Sequence, residues 1–172
     1  QRRQISFMLF KCCFFILGLI LFCLLIWPLL STIGRIFFPK NKDHLSELSP
    51  KETKELIHQI LNWCIWNIHL NKGRRSKPTL FISKRTKTNY LGSYQYYNKR
   101  ITIFVLRHSS IEELCDTIIH EYVHHLQIRS SKDDIRYDRL TKMKSYWEND
   151  FEVEARDIAS KYSRKCVNDL KF

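Results

Sequence analysis

The segment CDTIIHEYVHHLQ, residues 115–127, constrains the fold more than any other stretch of the chain. Leu114, Ile118, Ile119, Val123 and Leu126 recur at helical spacing and spread over several sides of the turn, so a helix here must be packed over much of its circumference. Yet His120, Glu121, His124 and His125 stand in the middle of it. Either these four are surface residues of a packed helix, or the helix carries a metal.

His120 to His124 fits the pattern H-E-x-x-H. Residues four apart project from the same side of a helix. Both imidazoles can then reach one Zn²⁺ ion at Zn–N distances of roughly 2.0–2.1 Å. Glu121 lies about 100° further round, where it meets a metal-bound water rather than the metal. Zinc brings the pKa of such a water toward about 7 and polarises a carbonyl. The glutamate takes the proton and passes it to a leaving amine. A bare match to so short a pattern is weak, but the context strengthens it. A capping box, Ser109 with Glu112 or Ser110 with Glu113, opens the helix about ten residues earlier, and strand-like segments precede it. His125, about 100° from His124, reads as a flanking polar residue or a support for the ligands.

A zinc site with an open position needs a third protein ligand. The extension H-E-x-x-H-x-x-G-x-x-H is absent, because Gln127 and Ser130 occupy its glycine and final histidine positions. Cys115 shares the motif helix and Cys166 lies near the end of the chain. The segment YWENDFEVEARDIASKY, 146–162, is richer in candidates: Glu148, Glu152 and Glu154 stand at the start of a helix that Asn149 or Asp150 can cap. Its apolar stripe is Phe151, Ala155, Ile158, Ala159 and Tyr162. For any one of these acids, a solvated carboxylate favoured by the helix dipole is the alternative.

Upstream, Ser49, Pro50 and Glu52 open a helix expected to run to about Leu70. Leu56, Ile57, Ile60, Leu61, Cys64, Ile65 and Ile68 form its stripe, widened by Trp63 and Trp66. Strands are predicted over 79–83, 90–97 and 100–106, the last two joined at Asn98-Lys99 as a hairpin. The polar segment 128–147 is expected to be a loop bordering a cleft. Helix, strands and helix in this order give an α+β domain.

H-E-x-x-H followed by E-x-x-A on a later helix resembles the gluzincin division of the zincin metallopeptidases. The small size and the LGSY…ITIFV hairpin are similar to the minimal SprT-like and ImmA/IrrE-like domains. The resemblance covers residues 50–165. It implies a zincin-like fold with a first helix behind a small antiparallel or mixed sheet. The strand before the motif helix would have a free edge for an extended peptide or protein substrate, and a C-terminal helix would carry the last ligand. The E-x-x-A pattern points to Glu152, with Ala155 three residues on. At about 100° per residue Glu152 and Glu154 flank the apolar stripe almost equally, but only Glu152 is followed at that offset by an alanine, which lets two helices approach closely. The expected site is therefore His120, His124 and Glu152 as zinc ligands and Glu121 as general base, with Glu154 dispensable. Tyr137, Tyr146 and Arg156 are candidates to stabilise an oxyanion. The chain departs from the pattern at Arg156, where many relatives have Asp or Asn, and it lacks the third histidine common in SprT-like proteins.

Composition adds a membrane. Residues 12–34, CCFFILGLILFCLLIWPLLSTIG, contain no charge and are long enough to cross a hydrocarbon core of about 30 Å. The run is too long for a secretory signal and no A-x-A site follows it. The organisation expected is a transmembrane anchor over 1–38, a linker over 39–48 and the metallopeptidase-like domain over 49–172. Basic residues flank the run on both sides, with a slight excess after it that favours a cytoplasmic domain. Of 29 basic residues only Arg2, Arg3, Lys11 and Arg35 lie at or before position 35, and all 17 acidic ones lie beyond it. The domain thus stays positive and suited to anionic headgroups. A basic surface also suits nucleic acid, and YLGSYQYYNKR, 90–100, is the stretch such binding would use. The anchor and the strand spacing of the tyrosines argue against it. A non-catalytic zinc module that holds a peptide or partner is the other rival, and it has no need of Glu121. Cys64, Cys115 and Cys166 lie outside the anchor without a C-x-x-C pair, so free buried thiols are expected.

The full chain is expected to remain in the membrane fraction through high-salt and carbonate washes. Release by salt alone would reduce the attachment to electrostatics.

Overall fold

The computed structural model describes residues 44–70, 76–87 and 89–170, all within one compact unit, Lys42–Phe172. The charge-free run 12–34 lies outside these residues. Among those described, no helix is long and apolar enough to cross a membrane. The fold of the described residues is α+β, with four α-helices and a three-stranded mixed sheet.

Helix α1, Pro50–Asn67, opens with the expected capping box: Ser49 Oγ accepts from the Glu52 N–H at 3.3 Å, and the Glu52 carboxylate accepts from the Ser49 N–H at 2.7 Å. It stops short of Leu70, with Ile68 as its C-terminal cap. Leu56, Ile57, Ile60, Leu61, Trp63 and Cys64 are buried, and the Trp63 indole N–H donates to Asp169. Trp66 does not join this stripe. It lies about 150° from the stripe's centre by helical geometry and is 75 % exposed.

Strands β1 (Thr79–Ser83), β2 (Gly92–Gln95) and β3 (Arg100–Phe104) form a sheet in the order β1-β3-β2. β1 runs parallel to β3 and β2 antiparallel to it. The strand before the motif helix is therefore central and has no free edge, contrary to what the family resemblance implies. Its completely buried Ile101 and Ile103 explain why it takes the middle position. The link from β2 to β3 is residues 96–99 rather than Asn98-Lys99 alone, and Lys99 turns with φ 48°. β3 ends at Phe104, and Val105–Arg107 form a 3₁₀ turn. After that turn the buried His108 donates from Nδ1 to the Phe104 carbonyl, and its Nε2 accepts from the Thr117 hydroxyl. Burial lowers its pKa, which suits this neutral form.

Helix α2, Ile111–Gln127, begins at Ser110, whose hydroxyl accepts from the Glu113 N–H, while the Glu113 carboxylate reaches back to the Ser109 N–H. Almost every residue after the first turn is buried. The helix packs on β2 and β3 and also on α1 and the C-terminal helix. The main partners of α1 are these two helices, not the sheet.

The segment expected as a loop contains helix α3, Ser131–Met143. Ser130 and Asp133 make a reciprocal capping box at its start. The helix buries no residue completely, so it lacks the apolar stripe that would have announced it. Helix α4, Asp150–Leu170, follows and buries Phe151, Ala155, Ala159 and Cys166. Of the two cap candidates, Asn149 takes the role: its side-chain oxygen accepts from the Phe151 N–H at 3.1 Å. Its amide donates to Thr141 on α3, also at 3.1 Å, so one fully buried side chain ties the two helices together. Leu45 packs in the core and His44 bridges to Ser110, so packed structure begins before Ser49. Cys64, Cys115 and Cys166, from α1, α2 and α4, are free and buried as expected.

Asn149→Ala should lower stability by about 1–2 kcal/mol, the loss of a cap and of a buried hydrogen bond. An unchanged midpoint in denaturant unfolding would contradict this role.

Candidate metal centre

Helix α2 presents His120 and His124 one turn apart, and α4 brings Glu152 against them. The two Nε2 atoms lie 3.0 Å from each other. Glu152 Oε2 is 3.1 Å from the first and Oε1 is 3.4 Å from the second. A tetrahedral ion with bonds of roughly 2.0–2.1 Å holds its ligand atoms about 3.3 Å apart; the two imidazole nitrogens are near that separation, each meets a different oxygen of Glu152, and one ligand atom from each residue lies within 4.8 Å of the others. These residues form the group able to hold a metal ion among the described residues. The chemistry of the donors fits as well. Two imidazole nitrogens and a carboxylate converge, and Glu152 Oε2 is buried without a hydrogen bond. An orphaned buried oxygen is costly in a folded protein, and a cation at this point would satisfy it.

Electrostatics follow from the crowding. Burial acts to raise Glu152, but the imidazoles of His120 and His124 and the Tyr137 hydroxyl prevail and hold its carboxyl far below the ordinary range. Burial acts to lower His124, and Glu152 and Glu121 overcome it to place the imidazole above its usual value. Glu121 is raised by burial, with His124 and His120 pulling against that rise.

Glu121 sits on the sheet side of the group. A Cβ placed on Gly92 would lie 2.8 Å from Glu121 Cγ and 3.0 Å from its Oε1, as well as 2.8 Å from Thr117 Cγ2. Only a glycine lets the glutamate lie across β2 here, and a glycine inside a strand is the sequence signal of such an approach. The Leu91–Phe104 hydrogen bond sets the β2–β3 register. In that register the backbone groups of Gly92 and Tyr94 turn away from β3, and the Tyr94 backbone stabilises ionised Glu121.

The other candidates from the sequence have different roles. Glu148 accepts from the Ser145 hydroxyl and stays exposed. Glu154 accepts from Gln127 at 2.9 Å and does not reach the histidines. Tyr137, on α3, donates to Glu152 Oε1 at 2.6 Å and packs edge-on against the His124 ring. Arg156 donates to the carbonyls of Tyr146 and Trp147 and lies over both their rings, so it fastens the turn before α4. His125 is almost completely buried and structural: Nε2 donates to the Ser76 carbonyl at 2.9 Å, and Nδ1 faces the Tyr94 hydroxyl at 3.3 Å.

No protein-family model, curated protein or solved structure gives a significant match to this chain.

The full chain should bind one divalent ion, and Glu152→Ala should abolish binding while Glu148→Ala retains it. Metal analysis of both proteins after desalting checks this. Metal retained by the Glu152 variant would move the third ligand elsewhere.

Proposed function

We propose that this chain is a membrane-anchored zinc endopeptidase of the gluzincin type, with His120, His124 and Glu152 as ligands and Glu121 as general base. The observation that carries the reading is the position of Glu121. A buried carboxylate that is not part of the ligand triangle lies beside it, on the outward-turned edge of β2. A site made only to hold a metal has no use for it.

The donor set of two imidazoles and one carboxylate is the kind that binds catalytic zinc. When bound, zinc supplies a polarised water and a Lewis acid for the scissile carbonyl. Glu121 would take the proton from water and return it to the leaving amine, and its burial, which raises its pKa, makes it a stronger base. An extended substrate would pair along the outer edge of β2, on the side to which Gly92 turns its backbone groups, in the manner of strand addition. Tyr137, already donating to Glu152, is the oxyanion candidate nearest the ligands. Arg156 is committed to the turn and drops out of that role. The charge-free run 12–34 supports the anchor, and the positive balance of the remainder supports a domain held near anionic headgroups.

Glu121→Gln should keep zinc and lose about 10²–10⁴-fold in hydrolysis of an unfolded protein substrate. Full activity in this variant would overturn the mechanism. A zinc-loaded wild type without activity would identify a binding module instead.

A further inference from the structure

Gln127 is 2 % exposed on the last turn of α2, one of the most buried polar side chains of the domain. Its amide makes three contacts. The Oε1 end lies 2.9 Å from His124 Nδ1, and the Nε2 end lies 3.0 Å from the Phe151 carbonyl and 2.9 Å from Glu154 Oε2. The last two partners are a carbonyl and a carboxylate, and both only accept. The amide therefore has one permitted orientation. Turning it over would set its oxygen against two other oxygens. With the NH₂ group committed to α4, the oxygen must face His124, and it can only accept there. His124 Nδ1 must carry the proton, and the lone pair of the neutral ring is left on Nε2, the atom that faces His120 and Glu152.

We infer that Gln127 is a positioning residue that reads the α4 backbone and fixes His124 in the tautomer able to bind a metal through Nε2. Glu154 is its second anchor. The inference rests on the reading of His124 as a ligand. It gives Glu154 a role that its distance from the metal triangle had hidden: it accepts one of the two protons that set the amide. The same bonds couple docking of α4, which delivers Glu152, to the ring state of His124. The ligand from one helix and the tautomer of the other thus arrive together. A partner on the far ring nitrogen commonly changes metal affinity by about 10–100-fold.

The test uses the full chain with ¹⁵N-labelled histidine rings, metal-free and at a pH high enough to leave the imidazoles neutral. His124 in the wild type should show the proton on Nδ1. Gln127→Met, which keeps the bulk and removes the amide, should give a mixture of tautomers. Its zinc affinity in chelator competition should fall by about 10–100-fold. Gln127→Glu presents only acceptor oxygens to His124, so a folded Gln127→Glu protein should keep the Nδ1 proton although it loses the bond to the Phe151 carbonyl. If Gln127→Met fails to fold, the wild-type ring alone decides the matter. A wild-type ring protonated on Nε2 would overturn the inference. So would a folded Gln127→Met protein whose tautomer matches the wild type, whether or not its affinity changes. Loss of zinc from His124→Ala is the separate check of the ligand reading, and it is independent of the tautomer result.

Discussion

The close approach of α4 to α2 is the contact on which the rest of this domain depends. Ala155 and Ala159 of α4 are completely buried, and α4 packs chiefly on α2. Because neither has a side chain beyond Cβ, the backbones come near enough for Gln127 to bond the Phe151 carbonyl directly. That proximity places Glu152 within 3.4 Å of both motif histidines. A larger residue at either alanine would push the carboxylate away and leave two imidazoles facing each other without a counter-charge. Asn149 sets the point at which α4 begins, and so sets the height at which Glu152 enters.

The cost of this arrangement lies in its buried charge. Three candidate ligands and a second carboxylate, Glu121, share a small and largely buried volume. The imidazoles hold Glu152 ionised and the two carboxylates hold His124 basic, whereas burial raises Glu121 against the pull of the histidines. Such opposed shifts in neighbouring groups mark sites of chemistry more often than sites of packing. The surrounding polar contacts act in the same direction. Tyr137 and Gln127 each spend a hydrogen bond on a ligand, and Gly92 gives up a side chain so that Glu121 has room.

Much of this was legible in the sequence because periodicity and caps are local. The start of α1 follows from the Ser49–Glu52 box, β1 occupies the expected residues 79–83, and the choice of Glu152 over Glu154 rests on one alanine. What escaped was decided at a distance. α3 has a clear Ser130–Asp133 box but no apolar stripe, because it lies across the surface instead of packing into the core. The central place of β3 depends on which strand the core covers on both edges, which alternation within one strand does not specify. Trp66 was misplaced for a simpler reason: its angle on α1 sets it outward, and hydrophobicity alone drew it into the stripe. Gln127 stood in view as a failed match to a longer histidine pattern. Its partners Phe151 and Glu154 lie 24 and 27 residues further along, so the bond network became visible only in the folded chain.

The central claim is that the metal is held by two imidazoles and one carboxylate delivered by the α2–α4 contact. X-ray absorption at the zinc edge, on the full chain loaded with stoichiometric zinc, tests it most directly. The account predicts nearest neighbours that are nitrogen and oxygen alone, at roughly 2.0–2.2 Å, with the outer scattering pattern of imidazole. Sulfur at about 2.3 Å would place the metal on the buried thiols of Cys64, Cys115 and Cys166. That result, or a shell of oxygen without imidazole, would contradict the account.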